Sequence, residues 1–230
     1  MKRTLFALLA LIGSASAFAV VLDDFNAGTY YQDSNATSYN TENVAAGLMR
    51  YGNHVFFSNP DSRYLTTEIA GGQLYVEVET GVNAVFTFGH LGGLLNGAPA
   101  SGSGALSTLD AASFPTAMNW TATPVVEAVF SASDQSTATV LFWAYEKSGS
   151  SIGNLFNSSV LSIPQGGGTV SFDFSTTGLN LANVGAWGIN LGLPTGNDLA
   201  IDQVNAVPEP ATLIALGAGL AAFARRRKAN

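Results

Sequence analysis

Few side chains in this sequence are suited to chemistry, and they fall into three groups. The first is acidic: Asp23 and Asp24 lie in Val-Leu-Asp-Asp-Phe (21–25), and Asp198 and Asp202 in Asn-Asp-Leu-Ala-Ile-Asp-Gln-Val (197–204). A calcium ion takes roughly six to eight oxygens on a fairly fixed frame, several of them carboxylate or carbonyl oxygens. If the two segments meet, these four aspartates and the Asn197 amide form a candidate structural Ca²⁺ site; solvated strand ends and turn residues are the competing reading. The second group is aromatic. Trp143 and Tyr145 share one face of an alternating stretch with Thr139 and Leu141, while Val140, Phe142 and Ala144 take the other. An aromatic face is a stacking platform for the apolar face of a sugar ring, so Trp143 and Tyr145 are candidate glycan-binding residues, with core packing as the alternative for them and for Trp120 and Trp187.

The third group is carboxylates spaced as acid and base. Glycoside hydrolysis needs only two carboxyl groups at a suitable separation. Glu77 and Glu79 point to one face about 7 Å apart along a strand, and Glu127 sits within the apolar run 125–130. Exposed acids on a solvated face account for all three equally, and none is nominated as catalytic. Other chemistries lack their parts. His54 and His90 are the two histidines, neither in an H-E-x-x-H string, and cysteine is absent. That removes thiolate nucleophiles, Cys-ligated zinc and a three-His metal site. Ser103 stands in Ser-Gly-Ser-Gly rather than a G-x-S-x-G elbow, and Gly-His-Leu-Gly-Gly (89–93) lacks the spacing of a dinucleotide loop.

The segments that must position these residues read as strands. In 73–79, Leu74, Val76 and Val78 alternate with Tyr75, Glu77 and Glu79; Val170, Phe172 and Phe174 alternate likewise with Ser171 and Asp173. Stretches 84–88, 124–132, 138–146 and 184–193 are apolar on both faces, as central strands are. Gly-, Ser-, Asn- and Pro-rich breaks separate them, 59–62, 71–72, 92–104, 148–153, 165–168 and 194–197, at a spacing that suits a sandwich or barrel of antiparallel strands. Residues 41–49 are read as one short helix or a loop. No internal repeat and no second-domain linker is present.

Charge narrows the partners. Of nine Lys plus Arg, six lie near the two termini, leaving Arg50, Arg63 and Lys147 in the body against 15 of the 16 carboxylates, a net charge of about −12 for residues 20–206. Such a surface repels phosphate backbones and anionic lipid, which argues against nucleic acid as a partner.

The ends are addresses rather than fold. Lys2-Arg3, an apolar run 5–12 and small residues to Ala19 make a secretory signal peptide, residues 1–19. Cleavage fits after Ala17 or Ala19, and Ala19 is preferred because Val20-Val21-Leu22 already reads as a strand. At the other end, residues 207–230 run Val-Pro-Glu-Pro-Ala-Thr-Leu, a glycine-spaced apolar stretch to Ala224, then Arg225-Arg226-Arg227-Lys228. The 14 apolar residues 211–224 fall short of the roughly 20 that cross a bilayer. Extension back to Val207 and snorkelling arginines make a marginal helix span, with the cations left on the cytoplasmic side.

This tail resembles the PEP-CTERM sorting signal of Gram-negative bacteria. The resemblance implies handling by an exosortase-type enzyme at or near Pro208, Glu209 and Pro210, with Arg225, Arg226 and Arg227 as the stop, transient contact of a C-terminal helix with the inner membrane, and a host that makes exopolysaccharide. It covers about the last 24 residues and leaves the body's activity open. The acidic first strand and the Ile-Asp-x-Val last strand resemble the jelly-roll sandwiches of carbohydrate-binding modules and galactose-binding-like domains, in which the terminal strands neighbour each other and often hold calcium. The expectation is a single all-β, antiparallel, jelly-roll-like sandwich over 20–206. Its role is expected to be non-enzymatic: binding glycan, or serving structurally, at the cell surface, outer membrane or biofilm matrix. A secreted polysaccharide hydrolase or lyase on the same sandwich is the rival.

Overall fold

A computed structural model describes residues 19–45, 48–91, 117–148 and 151–209. Residues 1–18 of the expected signal peptide, the 92–104 break and the tail from Pro210 onward lie outside the described residues, and with them the expected C-terminal helix and Arg225, Arg226 and Arg227.

Among the described residues, fourteen strands form two seven-stranded antiparallel sheets. In sheet I the order is β12 (Gly168–Asp173), β8 (Val125–Ser133), β14 (Asp198–Val207), β6 (Gln73–Val78), β5 (Leu65–Ala70) and β2 (Tyr31–Ser34), with β1 (Val20–Asp23) on β14 beyond β6. In sheet II it is β10 (Ser151–Asn157), β9 (Thr139–Ser148), β13 (Val184–Leu193), β7 (Asn83–Leu91), β4 (Leu48–Ser58) and β3 (Ser38–Ala45), with β11 (Leu161–Ser162) also on β9. The all-β antiparallel sandwich read from the strand pattern is therefore the architecture. The first and last strands do meet: Val20 pairs with Ala206 and Asp23 with Val204.

The alternation decides which side of each strand is core. Leu74, Val76, Val78, Ala128, Phe130, Ile201 and Val204 of sheet I close on Phe86, Phe88, Val140, Phe142, Ala144, Ile189 and Leu191 of sheet II, all buried. Trp187 joins this core, and Trp120 packs on Phe174 with ring centroids 5.8 Å apart. The 41–49 reading is corrected, because residues 41–45 belong to β3 and residues 48–49 to β4. Inward positions of β4 are Arg50, Gly52 and His54, polar or small residues that a hydrophobic pattern passes over.

Those polar residues are satisfied across the gap between sheets. Arg50 is fully buried, and its Nε and Nη2 donate to Asp23 Oδ2 and Oδ1 at 3.0 and 2.9 Å, while Nη1 donates to Glu42 Oε2 at 2.7 Å and the Ala27 carbonyl at 2.9 Å. Phe25 and Phe88 place their rings 5.8 and 5.9 Å from the guanidinium carbon. The pair ties β1 of sheet I to β4 of sheet II; removing one partner of such a buried pair typically costs about 3–5 kcal/mol, because the other charge is left stranded. His54 Nδ1 and Nε2 lie 2.7 and 3.0 Å from Ser34 Oγ and Thr67 Oγ1 of sheet I. Burial pushes the imidazole down to about 3, so it is neutral at pH 7.

Candidate functional site

On the outer face of sheet II, the face turned away from the core, the strand register assembles a grid. Trp143 of β9 stands opposite Gly188 of β13, which stands opposite Gly89 of β7, which stands opposite Tyr51 of β4. One step along the strands, Leu141, Asn190, Thr87 and Asn53 form the next row; Thr139, Gly192, Val85 and Val55 form the one after. No acid or base occupies any of these 12 positions.

The first row works because two of its members lack a side chain. A Cβ on Gly188 would fall 2.1 Å from the Trp143 ring, and one on Gly89 would fall 2.7 Å from it. The indole therefore lies across the backbone of two strands, with its Nε1 donating to Asn190 Oδ1 at 3.1 Å. Tyr145 packs edge-on against it, centroids 6.1 Å apart, and Tyr51 and Ala186 complete a second apolar cluster separate from the core. Trp143 and Tyr51 are fully buried and Tyr145 is 6% exposed, so this layer is closed from solvent.

Two hydroxyls within it are poorly satisfied: Thr87 Oγ1 is buried without a hydrogen-bond partner, and Tyr51 Oη is buried with no partner in good hydrogen-bond geometry, only the Asn53 side chain beside it. A buried polar atom left unpaired costs about 1–3 kcal/mol, and native proteins keep few without a reason. Burial pushes the Tyr51 phenol far above its ordinary range, with the Asn53 side chain acting the other way, and burial also raises Tyr145. Both phenols are neutral donors. Chemically the layer offers a broad aromatic plane beside a row of uncharged amide and hydroxyl groups, and no nucleophile or acid–base pair.

The sequence places Trp143 and Tyr145 on one face, and they share this one. Tyr51 is one of seven tyrosines and nothing in the sequence singles it out, nor Asn53, Thr87 or Asn190. The signal for them was the Ala186, Gly188, Asn190, Gly192 alternation in β13, small or polar residues on one face of an otherwise apolar strand.

The four aspartates of the calcium reading lie apart in the fold. Asp23 is committed to Arg50. Asp24 accepts from Asn26 N at 3.1 Å, and Asn26 holds its carboxyl below the usual range. Asp202 accepts from Gln73 Nε2. Asp198 lies on β14 six residues before Val204, the partner of Asp23, a separation of about 20 Å along the strand. Among the described residues no group of three or more His, Cys, Asp or Glu side chains is placed to hold a metal ion.

Of the sorting residues, Pro208 and Glu209 follow β14 directly. Among the described residues no helix is long and apolar enough to cross a membrane.

Residues 206–228 match the family described as the PEP-CTERM protein-sorting motif. The chain thus carries the sorting signal of an exported protein. No curated protein matches the sequence. Among solved structures, the chain is similar to the family 11 carbohydrate-binding module of a cellulosomal cellulase of Clostridium thermocellum, at 12% identity and a TM-score of 0.42, over 84% of this chain and 96% of that one. A family 29 carbohydrate-binding module complexed with mannohexaose gives 9% identity and 0.34, over 78% and 92%. The agarase AgWH50C gives 10% identity and 0.32, over 83% of this chain and 25% of the enzyme. These likenesses assign neither a ligand nor an activity.

Proposed function

We propose that the body is a non-catalytic glycan-binding domain, exported and sorted by its C-terminal motif to the outer surface or the exopolysaccharide matrix after exosortase-type processing at Pro208-Glu209-Pro210. The observation that carries the reading is the Trp143 indole laid over Gly188 and Gly89 beside two poorly satisfied hydroxyls. Sugar rings present an apolar face edged by hydroxyls, and this layer offers the complement: an aromatic plane, then a row of uncharged donors and acceptors. The layer is closed here, so a glycan has to uncover it, and the apparent affinity is reduced by the fraction of molecules that are open.

The reading predicts an unusual signature. Thr87→Val and Tyr51→Phe each remove a poorly satisfied buried hydroxyl, so folding stability is maintained or rises; each also removes a hydrogen bond to ligand, so glycan affinity drops roughly two- to tenfold. The measurement is retention of the full chain on a panel of soluble and insoluble polysaccharides, with released reducing ends assayed in the supernatant. Retention without release, weakened in both variants, is the expected result; retention indifferent to both would rule out this face.

A hydrolase is the second reading, and one observation favours it. Asp198 stands directly opposite Glu77, and its carboxyl is raised by burial and by the charges of Glu77 and Asp134, as a proton donor's would be. The Asp198 side, however, faces solvent at the open mouth of a shallow pocket, where water is not excluded. Release of reducing ends, lost in Asp198→Asn, would put this reading in place of the first.

A further inference from the structure

The opposite side of the sandwich, the outer face of sheet I, is built in another way. Register places Tyr31 of β2, Glu68 of β5, Tyr75 of β6, Ala200 of β14 and Ala132 of β8 in one row across it. Tyr31 and Tyr75 are 54% and 43% exposed, among the most exposed large apolar side chains described. With β5 between them, their strands lie about 10 Å apart, so one extended ligand can touch both rings.

The Tyr75 ring is held through its hydroxyl. Its hydroxyl donates to Gln73 Oε1, and Gln73 Nε2 donates to Asp202 Oδ1 and, at 3.1 Å, to Ser131 Oγ. Beside the ring opens a shallow pocket of about 290 Å³ with Ala132, Ala200, Leu199 and Gly166 in its lining and Asp134 and Asp198 at its polar edge. The neighbouring row is Asp33, Thr66, Glu77 and Asp198.

No lysine or arginine stands in either row. The three cations of the body are elsewhere: Arg50 faces the core against Asp23, Arg63 sits 3.5 Å from Asp61 in the turn before β5, and Lys147 is on β9 of sheet II. Glu77 and Asp198 are directly opposed like charges, an arrangement that destabilises a strand pair. Among the described residues no cation faces these carboxylates, and the complement to such a face of aromatic rings and carboxylates is positive charge carried on something that stacks.

We infer that this face is a second binding surface, specific for a glycan bearing protonated amino groups. Sugar rings rest on Tyr31 and Tyr75 and in the pocket beyond, and ammonium groups sit among Glu68, Glu77, Asp198 and Asp134. The stacking energy comes from the rings, and a cation against Tyr adds to it. The carboxylates supply selectivity, since an acidic or N-acylated chain gains nothing from them and an acidic one is repelled. This surface is independent of the sheet II layer and stands or falls without it.

The test is titration of the full chain with a glucosamine hexasaccharide and with its N-acetylated counterpart near pH 6. The free-amine oligomer is expected to bind at least about tenfold more tightly than the acetylated one, and to weaken as salt rises, because surface charges are screened. Tyr75→Ala and a Glu68→Gln, Asp198→Asn double variant are each expected to lower its affinity about tenfold, with melting temperature checked to exclude unfolding. Equal affinity for the two oligomers, or indifference to Tyr75→Ala, overturns the inference. So does equal binding of poly-L-lysine, since charge alone would then account for the interaction.

Discussion

The two outer faces of this sandwich are made from strands of the same type, yet the three rows around Trp143 on one form a layer without a charge, and the other is an open surface crowded with carboxylates. On sheet II, glycines let an indole lie down on the backbone, and two hydroxyls remain poorly satisfied under cover. On sheet I, tyrosines stand up between acids and reach solvent. Each face leaves something unsatisfied: hydrogen bonds on one, charge neutrality on the other. The difference teaches that an aromatic residue on a sheet face is not informative until its cross-strand neighbours are known. Glycine neighbours make it a lid on the backbone; carboxylate neighbours make it a free-standing surface.

Substitutions sharpen that contrast. The largest expected effect is Gly188→Ala, whose Cβ would meet the Trp143 ring at 2.1 Å and the Phe88 carbonyl at 2.3 Å. Because one of those contacts is backbone, the indole has to lift and the strands to part, at a cost of roughly 3 kcal/mol in denaturant unfolding, the upper range for overpacking. Unchanged stability would mean that the indole does not lie on the glycines. Tyr51→Phe comes next, with a gain of about 1 kcal/mol as a poorly satisfied hydroxyl is removed; a loss of similar size would mean the hydroxyl is well paired in solution.

The smallest effect belongs to the open face. Asp198→Asn relieves the opposition to Glu77 and is expected to stabilise by a few tenths of a kcal/mol at pH 7. Its sign follows from linkage. The native carboxyl is raised above its unfolded value, so the native state holds its proton more firmly, and ionisation at neutral pH counts against folding. The variant's advantage is therefore present at pH 7 and fades as acid protonates Asp198 in the parent. An advantage that grew toward acid pH would contradict the placement of Glu77 and Asp134 around it.

The strands β6 and β12 are legible in sequence because their alternation places apolar side chains at every second position, and β13 because its run is apolar on both faces; the sandwich follows from those patterns and the breaks between runs. The β3–β4 hairpin is not, since Arg50 and His54 enter the core with partners brought from Asp23, Ser34 and Thr67, and a buried polar residue looks like a solvated one until those partners are known. For the site, alternation alone set Trp143 and Tyr145 on one face of β9.

What the sequence by itself determined is local or compositional: the sorting tail, the period of the strands, the acidic surface and the want of catalytic cysteines and histidine clusters. Only tertiary structure decided which residues share a row. Register sets Gly188 and Gly89 under Trp143, and Glu77 opposite Asp198, and it sends Asp23 to Arg50 instead of to the other aspartates. Register depends on how two sheets bury their inner faces together, and a shift of one residue would turn every side chain to the other side.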